Sequence, residues 1–280
     1  MTDTRDRIRE AIADGSMGER LWLYATYHCN LACVYCLTES SPRIDRRRML
    51  TPEAMARAAG EAADLGLTCV GITGGEAFML PWMPEALADI ASVLPTVVLT
   101  NATLFTPPLL DRLAPLARYD FAVQISLDSD QPSRNDELRG PRNFARVMDA
   151  IPRLRDHGIR VRIATTVEHQ TEDELGRLCE LHRALGIPDD DHVVRSVVRR
   201  GRAAVAGLGV DLGPTDVLPE LTITADGAFL HPFAPTVRHG RTDIDLLVSR
   251  QTTPLTHAAD KFIRIVSGLP AGADVVRNIR

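Results

Sequence analysis

Lysine is almost missing from this 280-residue chain: Lys261 is the only one, so arginine carries nearly all of the positive charge. A lysine Schiff base therefore has one possible site, near the C-terminus. Aromatic residues are scarce, at 5% of the chain, and no cysteine follows Cys179. No stretch reaches the roughly 18 uninterrupted apolar residues that a membrane span needs, and residues 1–10 lack an apolar signal segment, so a cytoplasmic protein with no membrane partner is expected. The 32 basic residues against 37 acidic ones leave a formal charge of −5. That balance gives no general attraction to nucleic acid or to an anionic bilayer. With 45% hydrophobic residues a sizeable core is available. At this length one α/β domain with a small appendage is as reasonable as two domains.

What is present is an alternation of β-branched apolar runs with helical patterns, which points to a parallel sheet covered by helices. Strands are expected at 21–27, 68–73, 96–100, 121–127, 159–167 and 192–198, with helices at 82–94, 108–117, 143–157 and 171–185. One more helix opens on Thr51-Pro52-Glu53, a cap residue, a proline at the first helical position and an acid in the first turn, and it ends at Gly66. Pro152 is expected to bend or break the 143–157 helix. Six strand-helix units are too few to close an eight-stranded barrel. The expected fold is thus α/β, a partial (β/α)6 TIM-like barrel whose strand C-terminal ends face one cleft. Residues 1–20 would form an N-terminal helix and 21–200 the partial barrel. Gly- and Pro-rich text follows over 201–219, with no helix of any length expected there. Two short strands around Ala225-Asp226-Gly227 and a helix near 256–266 make 201–280 a small hairpin-containing extension.

Three of the five cysteines, Cys29, Cys33 and Cys36, fall within eight residues directly after the first strand. In a reducing compartment such a group reads as a metal site before it reads as disulfides. Three thiolates at these spacings can bind three irons of a cubane cluster and leave the fourth iron open for a ligand. Zinc needs a fourth protein ligand, and His28 is badly placed beside Cys29. Zinc and incidental cysteines stay as alternatives. A haem attachment is excluded, because Leu37 rather than histidine follows Cys36.

The motif Cys29-x-x-x-Cys33-x-x-Cys36 resembles that of the radical S-adenosylmethionine (SAM) superfamily. Gly74-Gly75-Glu76 ends the second strand, where that family holds the SAM amino group, although Ala77 stands where proline is common. Gln124-Ile-Ser-Leu-Asp128 and the later Arg139-Gly140 resemble further family segments. The resemblance implies one 4Fe-4S cluster on Cys29, Cys33 and Cys36, and a SAM site built by Tyr35, Gly74, Gly75, Glu76, Asn101, Ser126, Arg139 and Thr165. It also implies a reductant such as flavodoxin or ferredoxin and a 5'-deoxyadenosyl radical that takes hydrogen from a substrate. Tyr35 could equally shield the cluster, and Asn101 and Thr165 could be strand caps or buried hydroxyls.

The stretch from Ser126 through Gly201-Arg202-Ala203 to the Ala225-Asp226-Gly227 hairpin is similar to the subgroup with a SPASM/twitch-like C-terminal extension, which binds auxiliary clusters. Here His231-Pro232-Phe233 follows the hairpin and the auxiliary cysteines are missing, so redox-neutral outcomes are favoured: epimerisation, rearrangement, elimination or decarboxylation. Pyridoxal chemistry fails for want of a plausible lysine, and a cobalamin domain has no room. Only about 20 residues precede the first strand, too few for a leader-binding domain. A small sugar- or nucleoside-type natural-product intermediate is therefore expected, with a ribosomal peptide as the alternative. A non-catalytic SAM or iron-sulfur accessory protein is the competing class. Cys179, His231 and Asp128 are the candidate catalytic residues, with a core role favoured for Cys179. Glu168, His192 and Arg195 are unassigned substrate-site candidates, and Arg46-Arg47-Arg48 is expected to be a solvated loop, open to a donor protein.

Overall fold

A computed structural model describes residues 3–46, 48–168, 170–213, 215–238 and 241–269. Helix α1 (Thr4–Ala13) leads into strand β1 (Arg20–Thr26), followed by α2 (Pro52–Leu65), β2 (Cys69–Gly74), α3 (Met83–Ala91), β3 (Thr96–Thr100), α4 (Pro107–Leu113), β4 (Phe121–Ser126), α5 (Pro132–Arg139), α6 (Asn143–Asp156), β5 (Arg160–Val167), α7 (Glu172–Ala184) and β6 (His192–Ser196). The six strands run parallel in the order β1-β2-β3-β4-β5-β6. Each is close to the stretch its apolar run indicates. The runs are near-continuous because strands of a parallel sheet are buried on both faces. Leu21, Leu23, Val70, Ile72, Val98, Val123, Ile125 and Ile163 belong to one core with the inward faces of the helices.

The α2 boundaries follow from local chemistry. The Thr51 hydroxyl accepts from Ala54 N–H at 3.2 Å, and Gly66 ends the helix at φ 91°, a left-handed conformation that glycine adopts without a Cβ clash. Pro152 does not break α6, which continues to Asp156. Pro152 is exposed while Val147, Ile151 and Leu154 are buried. The carbonyl that loses its partner can be hydrated, and the apolar face keeps the helix in place.

The C-terminal part departs further from expectation. One helical turn, α8 (Arg202–Val205), stands in the Gly- and Pro-rich stretch. The hairpin strands β7 (Thr222–Thr224) and β8 (Gly227–Phe229) follow, then β9 (Val237–Arg238), β10 (Arg241–Thr242), β11 (Leu247–Ser249) and α9 (Leu255–Val266). The hairpin is part of the main sheet. β7 pairs parallel with β1, through Trp22↔Thr222 and Leu23↔Ile223, and β8 and β11 continue outward to make nine strands. Left uncovered, β1 would present an edge of unpaired backbone groups, which the hairpin satisfies. Among the described residues no helix is long and apolar enough to cross a membrane.

Candidate functional site

The C-terminal ends of β1 to β6 open on a cleft lined by the three cysteines together with Gly74, Gly75, Asn101, Ser126, Thr166 and Arg195. This is where ligands bind in open parallel sheets, since loops leaving successive strands converge there. The cysteine loop leaves β1 and is held at several points. The Leu31 N–H donates to Cys29 Sγ at 3.4 Å, Asn101 Nδ2 approaches the same sulfur at 3.8 Å, and Cys36 Sγ lies 3.4 Å from the Thr38 hydroxyl. All three thiols are free. Burial pushes the Cys29 thiol up to about 12, with Glu76 adding to the effect, and burial also raises Cys33 against the pull of Arg139. Among the described residues no three His, Cys, Asp or Glu side chains are grouped to hold a single metal ion. A cubane takes one thiolate on each of three irons.

The two glycines are required by backbone packing. A Cβ on Gly74 would lie 2.3 Å from Thr26 O, and one on Gly75 would lie 2.0 Å from His28 O. The end of β2 thus presses against the root of the cysteine loop, fastened by Gly75 N–H to Thr26 O at 2.6 Å and Glu76 N–H to His28 O at 3.0 Å. The Glu76 acid, expected to meet SAM, is engaged within the protein. Its fully buried carboxylate accepts from the Thr100 hydroxyl at 2.8 Å, Asn101 N–H at 2.9 Å and Phe78 N–H at 3.2 Å, bracing β2 against β3. Burial raises its pKa despite these three donors.

Asp128, a candidate catalytic residue, is also spent internally. Its Oδ1 accepts from Thr166 N–H at 2.9 Å, and its Oδ2 accepts from the Tyr35 hydroxyl at 2.5 Å and Arg139 Nη1 at 3.1 Å. Arg139 Nη1 also donates to Tyr35 Oη at 2.5 Å. Burial opposes the Arg139 charge, but Tyr35, Asp128 and Cys33 outweigh it and hold the guanidinium above its ordinary pKa; burial raises Tyr35 as well. Tyr35 and Arg139 line the cleft, whereas Asp128 lies behind them as their anchor.

Thr165 is displaced from the expected site by strand parity. Its hydroxyl donates to Leu127 O at 2.8 Å and meets His192 Nε2 at 2.8 Å on the far side of the sheet, and Thr166 faces the cleft instead. Cys179 lies on that outer side too, 3.5 Å from His192 Nδ1, with His182 edge-on to His192 at 4.3 Å. Neither Cys179 nor His192 reaches the cleft. His231 is buried against Phe233, accepts from Phe233 N–H at 3.1 Å, and is held neutral by burial with its pKa lowered to about 3. Its neighbours Pro232 and Phe233 line the cleft in its place. Glu168 accepts from Gly209 N–H at 2.9 Å, outside the lining, while Arg195 is part of it.

The main residue to which the sequence assigned no role is Arg202, in the Gly201-Arg202-Ala203 stretch. Its N–H donates to Cys36 O at 3.0 Å, its Nε to Cys33 O at 2.7 Å and its Nη2 to Ser40 O at 2.7 Å. Gly201 precedes it at φ 54°, and a Cβ there would lie 2.3 Å from Leu37 O. The extension therefore clamps the cysteine loop from outside the barrel, although it carries no cysteine. Nothing in residue type announces this, because the three acceptors are backbone carbonyls. Arg202→Met is expected to lower the iron retained after reconstitution several-fold, since two charge-assisted bonds worth roughly 1.5–3 kcal/mol each disappear. Iron and sulfide analysis checks it; wild-type iron content would deny the clamp any part in cluster binding. Arg48 is not solvated either: it pairs with Asp226 at 2.7 Å and stacks over Tyr27 at 4.5 Å, tying the loop's other flank to the hairpin. Arg46 is exposed, and Arg47 lies outside the described residues.

Residues 23–182 match the family model described as Radical SAM superfamily. The chain is 35% identical to the antilisterial bacteriocin subtilosin biosynthesis protein AlbA of Bacillus subtilis over 163 residues, 58% of this chain and 36% of that protein. It is 31% identical to the mycofactocin maturase MftC of Mycobacterium tuberculosis over 204 residues, 72% of this chain and 47% of MftC. The structure of Streptococcus suis SuiB bound to its precursor peptide SuiA shares the fold, with a TM-score of 0.57 at 21% identity over 70% of this chain and 43% of SuiB. The chain spans less than half the length of each. On the match over most of its barrel, the chain belongs to the radical SAM superfamily, whose members bind a 4Fe-4S cluster and S-adenosylmethionine.

Proposed function

We propose that the protein is a radical SAM enzyme that modifies a peptide. The observation that carries the chemistry is the convergence of Cys29, Cys33 and Cys36 with Gly74, Gly75, Asn101, Ser126 and Arg139 on one cleft at the strand C-terminal ends. The three thiols fit a 4Fe-4S cluster. Bound together, cluster and SAM supply a 5'-deoxyadenosyl radical able to remove hydrogen from an unactivated carbon. The chain's part is positioning and water exclusion. Thr26, His28 and Arg202 hold the cysteine loop, Glu76 holds the Gly-Gly turn and the end of β3, and Asp128 keeps Tyr35 and Arg139 on the wall. Ser126 and Arg139 would receive polar groups of SAM, and the backbone at Gly74 and Gly75 its amino group. The site needs no side chain of matched acidity, because a carbon radical abstracts hydrogen without a charged partner.

A peptide replaces the sugar or nucleoside that the sequence suggested. The support is the likeness to AlbA, a bacteriocin biosynthesis protein, and MftC, a maturase. The reading is tested by anaerobic reconstitution with iron, sulfide, dithionite and SAM, and by offering synthetic peptides encoded by the small open reading frames beside the gene. The expected result is at least a tenfold rise in 5'-deoxyadenosine and a mass or stereochemical change in one peptide. Stimulation by a nucleoside or sugar alone would overturn the peptide reading. A loaded cluster that never yields 5'-deoxyadenosine would favour the non-catalytic class.

A further inference from the structure

One cation on the cleft wall has no counterpart among the described residues. Arg195 sits on β6 in register with Thr166 on β5, and both line the cleft. The Arg195 guanidinium makes no hydrogen bond or ion pair with any described residue. The neighbouring arginines are all engaged: Arg139 by Asp128 and Tyr35, Arg202 by two carbonyls, and Arg200 by Asp245. The one acid within electrostatic reach, Asp128, is already occupied by three donors. Burial lowers the Arg195 pKa, and Arg139 adds to that, while Tyr35, Asp128 and Tyr24 offset part of it. An arginine nevertheless stays charged in a protein. The Thr166 hydroxyl beside it likewise has no hydrogen-bond partner among the described residues. The cleft lining also offers apolar surface, including Trp22, Val197 and Phe233. Arg195 is half-buried, so its guanidinium is open to the cleft, and with the Thr166 hydroxyl it offers an incoming anion donors that no described residue occupies.

We infer that Arg195 and Thr166 form a carboxylate-binding subsite that holds an acidic group of the substrate, either an Asp or Glu side chain or a C-terminal carboxylate. A planar guanidinium takes a carboxylate in two parallel bonds, and so orients what the carboxylate is attached to. The substrate is fixed at one end by charge while its apolar part lies along Trp22 and Phe233. The inference deepens the peptide reading of the same cleft, but stands on the unpaired cation rather than on the relatives. The other carboxylate that could reach this wall belongs to SAM, so the test separates the two sources.

The reconstituted enzyme, saturated with SAM, is titrated calorimetrically with N-acetyl-L-glutamate α-amide, whose one carboxylate is on the side chain, with N-acetyl-L-alanine, whose one carboxylate is C-terminal, and with the neutral N-acetyl-L-glutamine α-amide. The wild type is expected to bind one of the two acids at least tenfold more tightly than the neutral amide. Arg195→Gln should level that acid with the neutral amide, and Arg195→Lys should retain part of the preference. SAM affinity, measured separately, should be unaltered in both variants, and their melting temperatures serve as the check on folding. The assignment is overturned by a wild type with no preference for either acid, or by an undiminished preference in Arg195→Gln. Loss of SAM affinity in Arg195→Gln also overturns it and gives the guanidinium to the SAM carboxylate. Acid binding without turnover of any peptide would retire the peptide reading alone, and peptide turnover without acid preference would retire this subsite alone.

Discussion

Cys36→Ala is expected to reduce 5'-deoxyadenosine formation to background while leaving the fold intact, with iron falling well below the about four per chain that one cubane requires. The two effects separate because Cys36 is half-buried and its thiol has one close contact, Thr38 at 3.4 Å. A substitution there should cost within about 1 kcal/mol of stability. Losing one of three thiolates removes an iron anchor that nothing nearby can replace. Cys179→Ala is the control: its thiol faces His192 on the opposite side of the sheet, so SAM cleavage should persist. Iron near eight per chain in the wild type would refute the single-cluster reading. Cluster loading should also improve as pH rises, because burial holds Cys29 at about 12 and Cys33 above the ordinary thiol value. Each thiol still protonated must release a proton on binding, so the loading equilibrium gains about a factor of ten per pH unit for each. Loading that falls between neutral and mildly alkaline pH would contradict these protonation states.

Asp128→Ala is expected to destabilise the protein by roughly 3–5 kcal/mol, the cost of leaving a buried charge without its partner. Three donors lose their acceptor at once: Arg139 Nη1 at 3.1 Å, the Tyr35 hydroxyl at 2.5 Å and Thr166 N–H at 2.9 Å. At about 2–4 °C per kcal/mol for a chain somewhat shorter than this one, the melting temperature should fall by roughly 10 °C. Asp128→Asn keeps an acceptor for Thr166 N–H and should lose less stability. Both should weaken SAM binding, since Tyr35 and Arg139 lose the group that orients them. Thermal melts and SAM titration check this. A melt within about 1 kcal/mol of wild type would sink the anchor assignment, whereas loss of turnover with unaltered SAM affinity and stability would restore Asp128 as a catalytic candidate.

The fold was largely legible because its signals are local. The apolar run at 121–127 can only be a strand of a parallel sheet covered on both faces, and Thr51-Pro52 with Gly66 marks both ends of α2 through capping chemistry. The cysteine loop was legible for the same reason, since three thiols within eight residues carry their own geometry. Long-range placement was less accessible. Thr165 and Thr166 are adjacent and alike in type, and only the pairing of β5 with β4 and β6 decides which faces the cleft. Glu76 and Asp128 are acids in motif positions, yet each takes part of its donors from segments distant in sequence, Thr100 and Asn101 for Glu76 and Tyr35 and Thr166 for Asp128.

By itself the sequence determined the six parallel strand-helix units, the cluster-binding loop and the superfamily, because each rests on spacing within a short segment. The tertiary structure alone decided that the cysteine-free extension joins the sheet at β1 and, through Arg202, holds the cysteine loop. It alone left Arg195 without a partner among the described residues on the cleft wall. Those outcomes depend on which polar groups find partners once distant segments meet, and the free energy of a buried charge is set by those partners rather than by the residue that carries it.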